Sequence, residues 1–216
     1  MNNKKSKIGC FFGTFNPIHN GHMMMANYVL EHTDICRVIF VISPNSPFKE
    51  HTGDLLDFHH RCYLVNEAIK SNLSLSYSDI ESKLLSESEE NKIYTYDTLC
   101  KLQELYEKDE IVLILGEDNF ANIKNFKNYY RILQNFEICI CPRTEKIVKL
   151  DYKVTEFADF GKIKGVNFLN SMPVNTVSST FVRNEVKNGH LNSVSSQLPK
   201  RVYNEIKYGK YGKYYR

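Results

Sequence analysis

Short runs of apolar residues alternate with longer segments of helical periodicity from the start of the chain. In residues 8–12 and 110–115, nearly every position is apolar. Strands covered by helices on both faces have this composition, because a parallel sheet leaves no solvated side. The alternation therefore predicts βαβ units in a doubly wound parallel α/β sheet with helices on both faces. The other predicted strands are 37–42, 73–77, 136–141 and 166–169, and the predicted helices are 21–32, 57–70, 96–107 and 177–187.

Two polar segments interrupt this pattern. Residues 81–92 contain the run SESEENK and residues 144–164 mix charged and aromatic side chains, so both are predicted to be connections. Residues 208–216 repeat Tyr-Gly-Lys, and this low complexity predicts a loosely packed tail. The chain, 1–216, is predicted to be one domain of Rossmann-like architecture with a small C-terminal helical part at about 178–207.

Composition narrows the class of protein. Of the 216 residues, 42% are hydrophobic and 25% are charged, as in a globular domain. The six cysteines form no CxxC pair and no paired Cys/His spacing, which predicts free thiols in a reducing, cytoplasmic environment and no metal site. The longest apolar runs are five residues, far below the roughly 20 of a membrane helix. A net charge of +3 is too balanced to indicate a nucleic-acid surface.

The segment GTFNPIHNGH, residues 13–22, lies between the first strand and the first helix. In an open parallel sheet, phosphates bind in this loop, beyond the carboxyl end of the strand and at the helix N-terminus. Gly13 lets the backbone approach a ligand, and Gly21 opens the helix without a side chain in the way. His19 and His22 are three residues apart, so both imidazoles can project toward one anion. Taken alone, the pair is equally typical of two surface histidines.

Two further segments carry candidate anion-binding groups. PNSPFK, residues 44–49, follows the second strand and holds Lys49 over the same edge of the sheet. VSSTFVR, residues 177–183, starts a helix whose hydroxyl side chains supply an N-cap and donors. Arg183 lies three and four residues after two of these hydroxyls, so its guanidinium can bind phosphate oxygens on the same helix face. On their own, these are also the features of a surface lysine and an ordinary capped helix.

Two segments are candidates for a second substrate. GED, residues 116–118, follows the central apolar run, and a glycine and an acid at the end of such a strand are typical of a ribose or second-substrate site. YTYDTL, residues 94–99, begins a helix, where Asp97 or Thr98 is predicted to be the cap.

Together, five segments resemble nucleotidyltransferases of the HxGH type. GTFNPIHNGH, PNSPFK, YTYDTL, GEDNF and SSTFVR occur in the order and at about the spacing of that superfamily, over residues 13–183. The chain is most similar to the nicotinate/nicotinamide mononucleotide adenylyltransferases, and among them to the bacterial type. The resemblance implies transfer of AMP from ATP to nicotinate mononucleotide, and more weakly to nicotinamide mononucleotide. The products would be the dinucleotide and pyrophosphate, with magnesium as the cofactor.

The resemblance also implies roles for individual residues, with no protein group as a metal ligand. The catalytic residues would be His19, His22, Lys49 and Arg183, of which His22 is the more critical histidine. The residues implied around ATP are Gly13, Thr14, Phe15, His19, His22, Ser178, Ser179, Thr180 and Arg183. Those implied around the pyridine nucleotide are Asn16, Lys49, Thr95, Gly116, Asp118, Phe126 and Arg143. These residue types suit the reaction, because a mononucleotide phosphate is already a charged nucleophile and needs positioning rather than a general base.

The chain departs from the family pattern at three positions. Phe12 replaces a second glycine, Asn16 replaces an acid, and Phe126 replaces a tryptophan in a chain that has no tryptophan. A phenylalanine can still stack on a pyridine ring. The departures therefore bear on the choice between nicotinate and nicotinamide more than on the reaction.

Other functions stay open at this point. Pantetheine-phosphate adenylyltransferases and cytidylyltransferases share the HxGH loop, although YTYDTL and GEDNF match them less well. A nucleotide-binding regulator without catalysis is disfavoured by the intact His19, His22 and Arg183. A fragment of a class I aminoacyl-tRNA synthetase would need a lysine-rich second signature, which is absent. Small-molecule substrates are expected, with no nucleic acid or membrane partner, and a homo-oligomer stays open.

Overall fold

The computed structural model describes residues 5–45, 55–143 and 163–209. Within these ranges, six strands form one sheet in the order β3-β2-β1-β4-β5-β6, and every neighbouring pair is parallel. The strand order reverses between β1 and β4, which is where ligands bind in doubly wound sheets. The predicted Rossmann-like α/β fold is confirmed. The strands are β1 Lys7–Gly13, β2 Ile35–Ile42, β3 Leu75–Ser78, β4 Glu110–Gly116, β5 Glu137–Cys141 and β6 Val166–Phe168.

Helices cover both faces of the sheet, and the core is accordingly divided into two apolar layers. Side chains alternate along β1, so that Phe11 enters one layer while Ile8 and Cys10 enter the other. The first layer packs under α1, α2, α7 and α8, and the second under α3, α4, α5 and α6. The helices are α1 Asn20–His32, α2 Phe58–Ile69, α3 Ile80–Glu87, α4 Thr95–Leu105, α5 Glu117–Ala121, α6 Tyr129–Asn135, α7 Ser179–Lys187 and α8 Lys200–Tyr208.

Two predictions about the first half of the chain are wrong. Residues 81–92 were expected to form a connection, but α3 occupies most of this segment. Only Ile80 and Glu81 of this helix are buried, and Glu81 is acidic, so the sequence shows no clear apolar face. The third strand begins two residues later than predicted, because Leu73 is fully exposed and Leu75 is the side chain that enters the core.

The region after β4 also contains more structure than predicted. The helices α5 and α6 and the 3-10 turn Ile123–Asn125 lie between β4 and β5, where no helix was expected. Each element is at most seven residues long, too short for a clear apolar period. Burial comes instead from single side chains such as Phe120 and Ile132.

The C-terminal helical part packs on the first apolar layer of the core. It consists of α7, the 3-10 turn Leu191–Gln197 and α8, which packs on α2. All six cysteines are free thiols, as predicted. No helix in the described ranges is long and apolar enough to cross a membrane. Three predicted features lie outside these ranges: Lys49, most of the connection 144–164, and residues 210–216 of the tail.

Candidate active site

The loop between β1 and α1 contains a residue in the left-handed backbone region. Phe15 has φ 46° and is 2% exposed. Such a backbone costs of order 1–3 kcal/mol, which the surrounding contacts must offset. Its ring packs edge-on against Phe40, with centroids 5.3 Å apart, and lies over Gly13. A Cβ at Gly13 would come within 2.9 Å of that ring, so Phe15 fills the space that was predicted to admit a ligand.

The two histidines of the HxGH segment form a buried stack. His19 is the N-cap of α1 and His22 lies in its first turn, and their rings are 3.6 Å apart at 20°. The side chains are not the exposed pair that a surface position would give, since the residues are 2% and 8% exposed. Nδ1 of His22 accepts the backbone N–H of His19 at 3.2 Å. In the neutral ring, the proton therefore resides on Nε2, which makes Nε2 the donor.

Burial keeps both imidazoles neutral at pH 7. Desolvation, together with the nearby Arg143 guanidinium, lowers the pKa of His19 to about 3. Desolvation also lowers the pKa of His22 well below its usual value, with smaller effects from His19 and Arg143. The histidines can therefore bind an anion through N–H donors, while positive charge comes from the arginines.

The first turn of α7 is bonded to the β1–α1 loop. Ser178 caps the helix, its Oγ accepting the backbone N–H of Phe181 at 3.1 Å. The hydroxyl of Ser179 donates to the carbonyl of Pro17 at 2.9 Å. The guanidinium of Arg183 donates to the carbonyl of Asn16 at 2.8 Å and to Oγ1 of Thr180 at 3.3 Å. The structure thus brings SSTFVR and GTFNPIHNGH together at the carboxyl end of β1.

Gly21 is needed for the same contact between α1 and the segment before α7. A Cβ at Gly21 would lie 2.9 Å from Cγ1 of Val177 and 3.0 Å from Nδ1 of His19. A side chain would push these groups apart, so Gly21 is needed for packing within the chain, whereas the sequence predicted only that it leaves the helix start open. Nδ1 of His19 is buried here and is bonded to no group in the described part of the chain.

A small cavity lies between His19 and the residues that directly follow β5. Its volume is about 10 Å³, room for roughly one water molecule. His19 and Arg143 line it, and three methionines form much of its apolar wall: Met24, Met25 and Met172. Methionine side chains adapt their shape easily. Nε of Arg143, like Nδ1 of His19, is buried without a hydrogen-bond partner among the described residues.

Three of the residues predicted around the pyridine nucleotide meet at the end of β4. Oδ1 of Asp118 would lie 2.5 Å from a Cβ at Gly116, and it is 3.7 Å from Nε of Arg143. The neighbouring carboxylate of Glu117 is buried and accepts the backbone N–H of Arg143 at 3.2 Å. Arg143 therefore lies between the acidic pair at β4 and the stacked histidines.

The start of α4 meets the chain that follows Phe126. Nζ of Lys127 lies 4.0 Å from the centroid of the Tyr94 ring, directly before Thr95. The same ammonium is 4.0 Å from the carboxylate of Glu90. YTYDTL and GEDNF contain no lysine or arginine. In the structure, Lys127, which follows Phe126 in the chain, brings an ammonium to the start of YTYDTL.

A buried polar network lies behind α4. The cap of that helix is Tyr94, so the prediction of Asp97 or Thr98 as the cap is wrong. Thr98 is fully buried, and its hydroxyl donates to Oε1 of Glu81 at 3.1 Å. Burial raises the pKa of Glu81, although hydrogen bonds from Ser43 and Thr98 oppose this shift.

The most extensive contact at the site was not anticipated. Arg61 of α2 is 1% exposed, and its guanidinium donates to four backbone carbonyls at 2.7–3.0 Å. These carbonyls belong to Thr14, Ser43, Pro44 and Leu56.

A sequence signal for this arginine does exist. Arg61 precedes Leu64 and Val65 by three and four residues, which places it on the buried face of its helix. A charged residue on such a face must have partners, because an unpaired buried charge is costly.

Comparison with known proteins identifies the family. Residues 10–185 match the cytidylyltransferase-like family. A protein of Flavobacterium psychrophilum named "Probable nicotinate-nucleotide adenylyltransferase" is 37% identical over 207 residues, which are 96% of this chain and 99% of that relative. The chain belongs to the nicotinate-nucleotide adenylyltransferase family. The resemblance found in the sequence is confirmed, as is the class of enzyme.

Solved structures agree with the fold of this adenylyltransferase family. The Plasmodium falciparum nicotinic acid mononucleotide adenylyltransferase complexed with NaAD has a TM-score of 0.73 at 21% identity, covering 96% of this chain and 98% of that one. The same protein complexed with APC has a TM-score of 0.72 at 20% identity, covering 97% and 98%. At these identities, the likeness establishes the architecture, while the site residues rest on the geometry above.

Proposed function

We propose that this chain transfers AMP from ATP to nicotinate mononucleotide. The observation that carries the proposal is the junction of α7 with the β1–α1 loop, where Ser179 and Arg183 bind the carbonyls of Pro17 and Asn16. This junction places two helix N-termini, the stacked histidines and an arginine at one edge of the sheet. Helix N-termini, N–H donors and a guanidinium are the groups that bind a triphosphate.

The chemistry requires alignment more than activation. A phosphate oxygen of the mononucleotide attacks the α-phosphorus of ATP, a new P–O bond forms, and the bond between the α-phosphorus and the bridging oxygen breaks. The leaving pyrophosphate takes the electron pair. Aligning two bound phosphates can contribute roughly 7–11 kcal/mol. Fixed donors stabilise the charge that develops on the pyrophosphate.

The phosphate side of the site is defined here as residues 13–22, Ser178–Thr180 and Arg183. Neutral His22 would donate through Nε2, because its Nδ1 is already bonded to the backbone. Arg183 would add charge to the outer phosphates, and Lys49 is proposed to do the same. Nδ1 of His19 and Nε of Arg143 are buried donors or acceptors that a bound nucleotide could satisfy.

Magnesium is proposed to enter with ATP. No group of three His, Cys, Asp or Glu side chains suited to a metal occurs in the ranges that the structure describes. The phosphate side instead carries N–H, hydroxyl and guanidinium donors, which suit the oxygens of a metal-bound triphosphate. When bound, the metal would neutralise charge on the triphosphate. The reaction is proposed to take place in the cytoplasm. Its proposed partners are small-molecule substrates, ATP and nicotinate mononucleotide.

The pyridine side is defined here as Tyr94, Thr95, Gly116, Asp118, Phe126 and Lys127. Here Lys127 brings a positive charge next to the start of α4, and the backbone amides of that first turn can also face a carboxylate. A neutral amide would present its own NH₂ to the same donors, at a cost of about 1–3 kcal/mol for each mismatch. Nicotinate mononucleotide should therefore be preferred over nicotinamide mononucleotide.

The test is a direct assay of both products. Purified protein is incubated with ATP, magnesium and either mononucleotide, and pyrophosphate and dinucleotide are measured together by enzymatic and chromatographic assays. Equal amounts of the two products, with kcat/KM at least ~10-fold higher for nicotinate mononucleotide, are expected. Pyrophosphate without dinucleotide, or no turnover above a protein-free control, would refute the function. Equal kcat/KM values would refute only the substrate preference.

A further inference from the structure

Arg61 joins three separate parts of the chain at the carboxyl edge of the sheet. Its Nη1 donates to the carbonyl of Thr14 in the β1–α1 loop and to that of Ser43 after β2, both at 2.7 Å. Its Nη2 donates to Pro44 at 2.8 Å and its Nε to Leu56 at 3.0 Å. The first two segments are also bonded directly, through the Ser43 N–H and the Gly13 carbonyl at 2.9 Å.

The bond to Thr14 lies next to the residue with positive φ. Phe15 has φ 46°, and the carbonyl before it, that of Thr14, is held by Arg61. The carbonyl of the next residue, Asn16, is held by Arg183. Two guanidinium groups thus hold the peptide unit that precedes Phe15 and the peptide unit that follows Asn16. A backbone conformation that is intrinsically unfavourable persists only when its surroundings hold it in place.

The Asn16 side chain extends the same connection. Its Oδ1 accepts the backbone N–H of Leu56 at 3.3 Å, while the Leu56 carbonyl accepts Nε of Arg61. The residues that directly precede α2 are therefore bonded both to the loop and to the arginine. A displacement of Arg61 would therefore shift Thr14 and Asn16. Through the Asn16 carbonyl, it would also shift Arg183.

We propose that Arg61 is a positioning residue for AMP transfer. Its guanidinium fixes the loop of residues 14–17 against residues 43–44, and this sets the position of His19, His22 and Arg183 relative to the reacting phosphates. Arg61 itself contacts backbone carbonyls and not the substrate. The proposal rests on the proposed function for the step that is positioned, whereas the ordering of the loop can be measured without turnover.

A lysine should not replace this arginine. The planar guanidinium offers five N–H donors in a fixed fork, and four carbonyls from three segments use that geometry here. An ammonium carries the same charge, but its three donors on one atom cannot reach all four acceptors. Arg61→Lys therefore separates the geometry of the guanidinium from its charge.

The experiment compares Arg61→Lys and Arg61→Met with the same changes at Arg37. Arg37 is a matched control because its guanidinium also packs on an aromatic ring. It lies 5.6 Å from the centroid of Tyr106, and the guanidinium of Arg61 lies 5.4 Å from the centroid of Phe58. Unlike Arg61, Arg37 is exposed. Urea unfolding first gives the folded fraction of each variant at the assay temperature. Steady-state kinetics with ATP and nicotinate mononucleotide and amide hydrogen exchange are then measured.

For Arg61→Lys, we expect kcat per folded molecule to fall at least ~10-fold, with a smaller change in the KM for ATP. Amides in peptides covering residues 13–18 and 43–45 should exchange at least ~10-fold faster, while those of α4 keep the rate of the parent protein. Arg61→Met should give the same pattern. If that variant does not fold, Arg61→Lys decides alone, because it retains the charge and most of the volume.

Two results would overturn the proposal. A folded Arg61→Lys protein whose kcat lies within twofold of the parent would show that the fork is not needed. Unchanged hydrogen exchange in residues 13–18 would show that Arg61 does not order the loop. If the parent protein has no adenylyltransferase activity, the proposed function fails, while the exchange rates still decide whether Arg61 orders this loop.

Discussion

The phosphate side and the pyridine side differ in how firmly their groups are held. On the phosphate side, the carbonyls of Asn16 and Pro17 each accept a side-chain hydrogen bond of 2.9 Å or less, and His19 is 2% exposed. On the pyridine side, the side chains of Lys127 and Asp118 are 49% and 58% exposed, with ionic contacts of 4.0 and 3.7 Å. The groups proposed to bind the phosphates are thus held by hydrogen bonds within the chain, whereas the groups proposed to select the second substrate are exposed.

The difference has a physical reason. A phosphate contact that is already in position needs no reorganisation in the transition state, so rigidity contributes directly to kcat. Recognition of a pyridine substituent needs only a difference in affinity between two ligands. Changes on the phosphate side should therefore affect both mononucleotides equally, and changes on the pyridine side should affect them unequally.

The largest effect is expected from His22→Ala. Loss of the Nε2 donor should lower kcat by ~10²-fold or more with either mononucleotide. His32→Ala is the matched control, because His32 is an exposed histidine in the last turn of the same helix. Circular dichroism and steady-state kinetics check both variants. Turnover of a folded His22→Ala protein at the rate of His32→Ala would contradict the role of this donor.

The buried histidines also predict how stability depends on pH. The pKa of His19 is about 3 in the folded protein and near 6.5 when unfolded, so the unfolded state binds more protons between these values. Stability should fall as pH drops below 6.5. Between pH 7 and pH 5, the free energy of unfolding should decrease by about 2 kcal/mol more in the parent than in His19→Gln.

Urea unfolding at several pH values measures this difference. Glu81, whose raised pKa acts in the opposite direction, is present in both proteins and cancels in the comparison. Parallel curves for the parent and His19→Gln would mean that His19 titrates normally in the folded protein.

Arg183→Lys tests the phosphate side by replacing its guanidinium with an ammonium. The ammonium cannot make both the Asn16 contact and a bidentate phosphate contact, so kcat/KM for ATP should fall about 10-fold. Arg201→Lys is the control, since Arg201 has an exposed side chain whose ion pair with Glu67 is 3.7 Å long. Steady-state kinetics in which the two lysine variants agree would show that Arg183 acts only as a surface charge.

The smallest effect is expected on the pyridine side. Lys127→Met should reduce the preference for nicotinate mononucleotide by up to about fivefold, because exposed charges contribute only about 0.2–1 kcal/mol. Lys101→Met, on the exposed part of α4, serves as the control. The kcat/KM values for the two mononucleotides give the ratio in each variant. An unchanged ratio in Lys127→Met would remove this ammonium from substrate recognition.

The sequence predicted the strands of the parallel sheet and the loop that contains HxGH because both depend on local patterns. Apolar runs define β1, β2, β4 and β5, and HxGH lies in the loop where an open sheet binds phosphate. The site roles of Ser179 and Arg183 remain predictions, yet the spacing that placed their hydroxyl and guanidinium on one helix face agrees with the structure.

The features that were missed depend on contacts between distant segments. Arg61 bonds carbonyls up to 47 residues away along the chain, which no local period reveals. The helix α3 was missed because an acidic residue usually indicates an exposed segment. Glu81 is in fact buried, and Ser43 and Thr98 hydrogen-bond its carboxylate.

The division of work between the two sides can be tested with one quantity. This is the ratio of kcat/KM for nicotinate mononucleotide to that for nicotinamide mononucleotide, measured in the parent, Arg183→Lys and Lys127→Met. We expect Arg183→Lys to lower both values about equally and leave the ratio within twofold of the parent, while Lys127→Met lowers the ratio. A ratio that shifts in Arg183→Lys and stays constant in Lys127→Met would contradict the account.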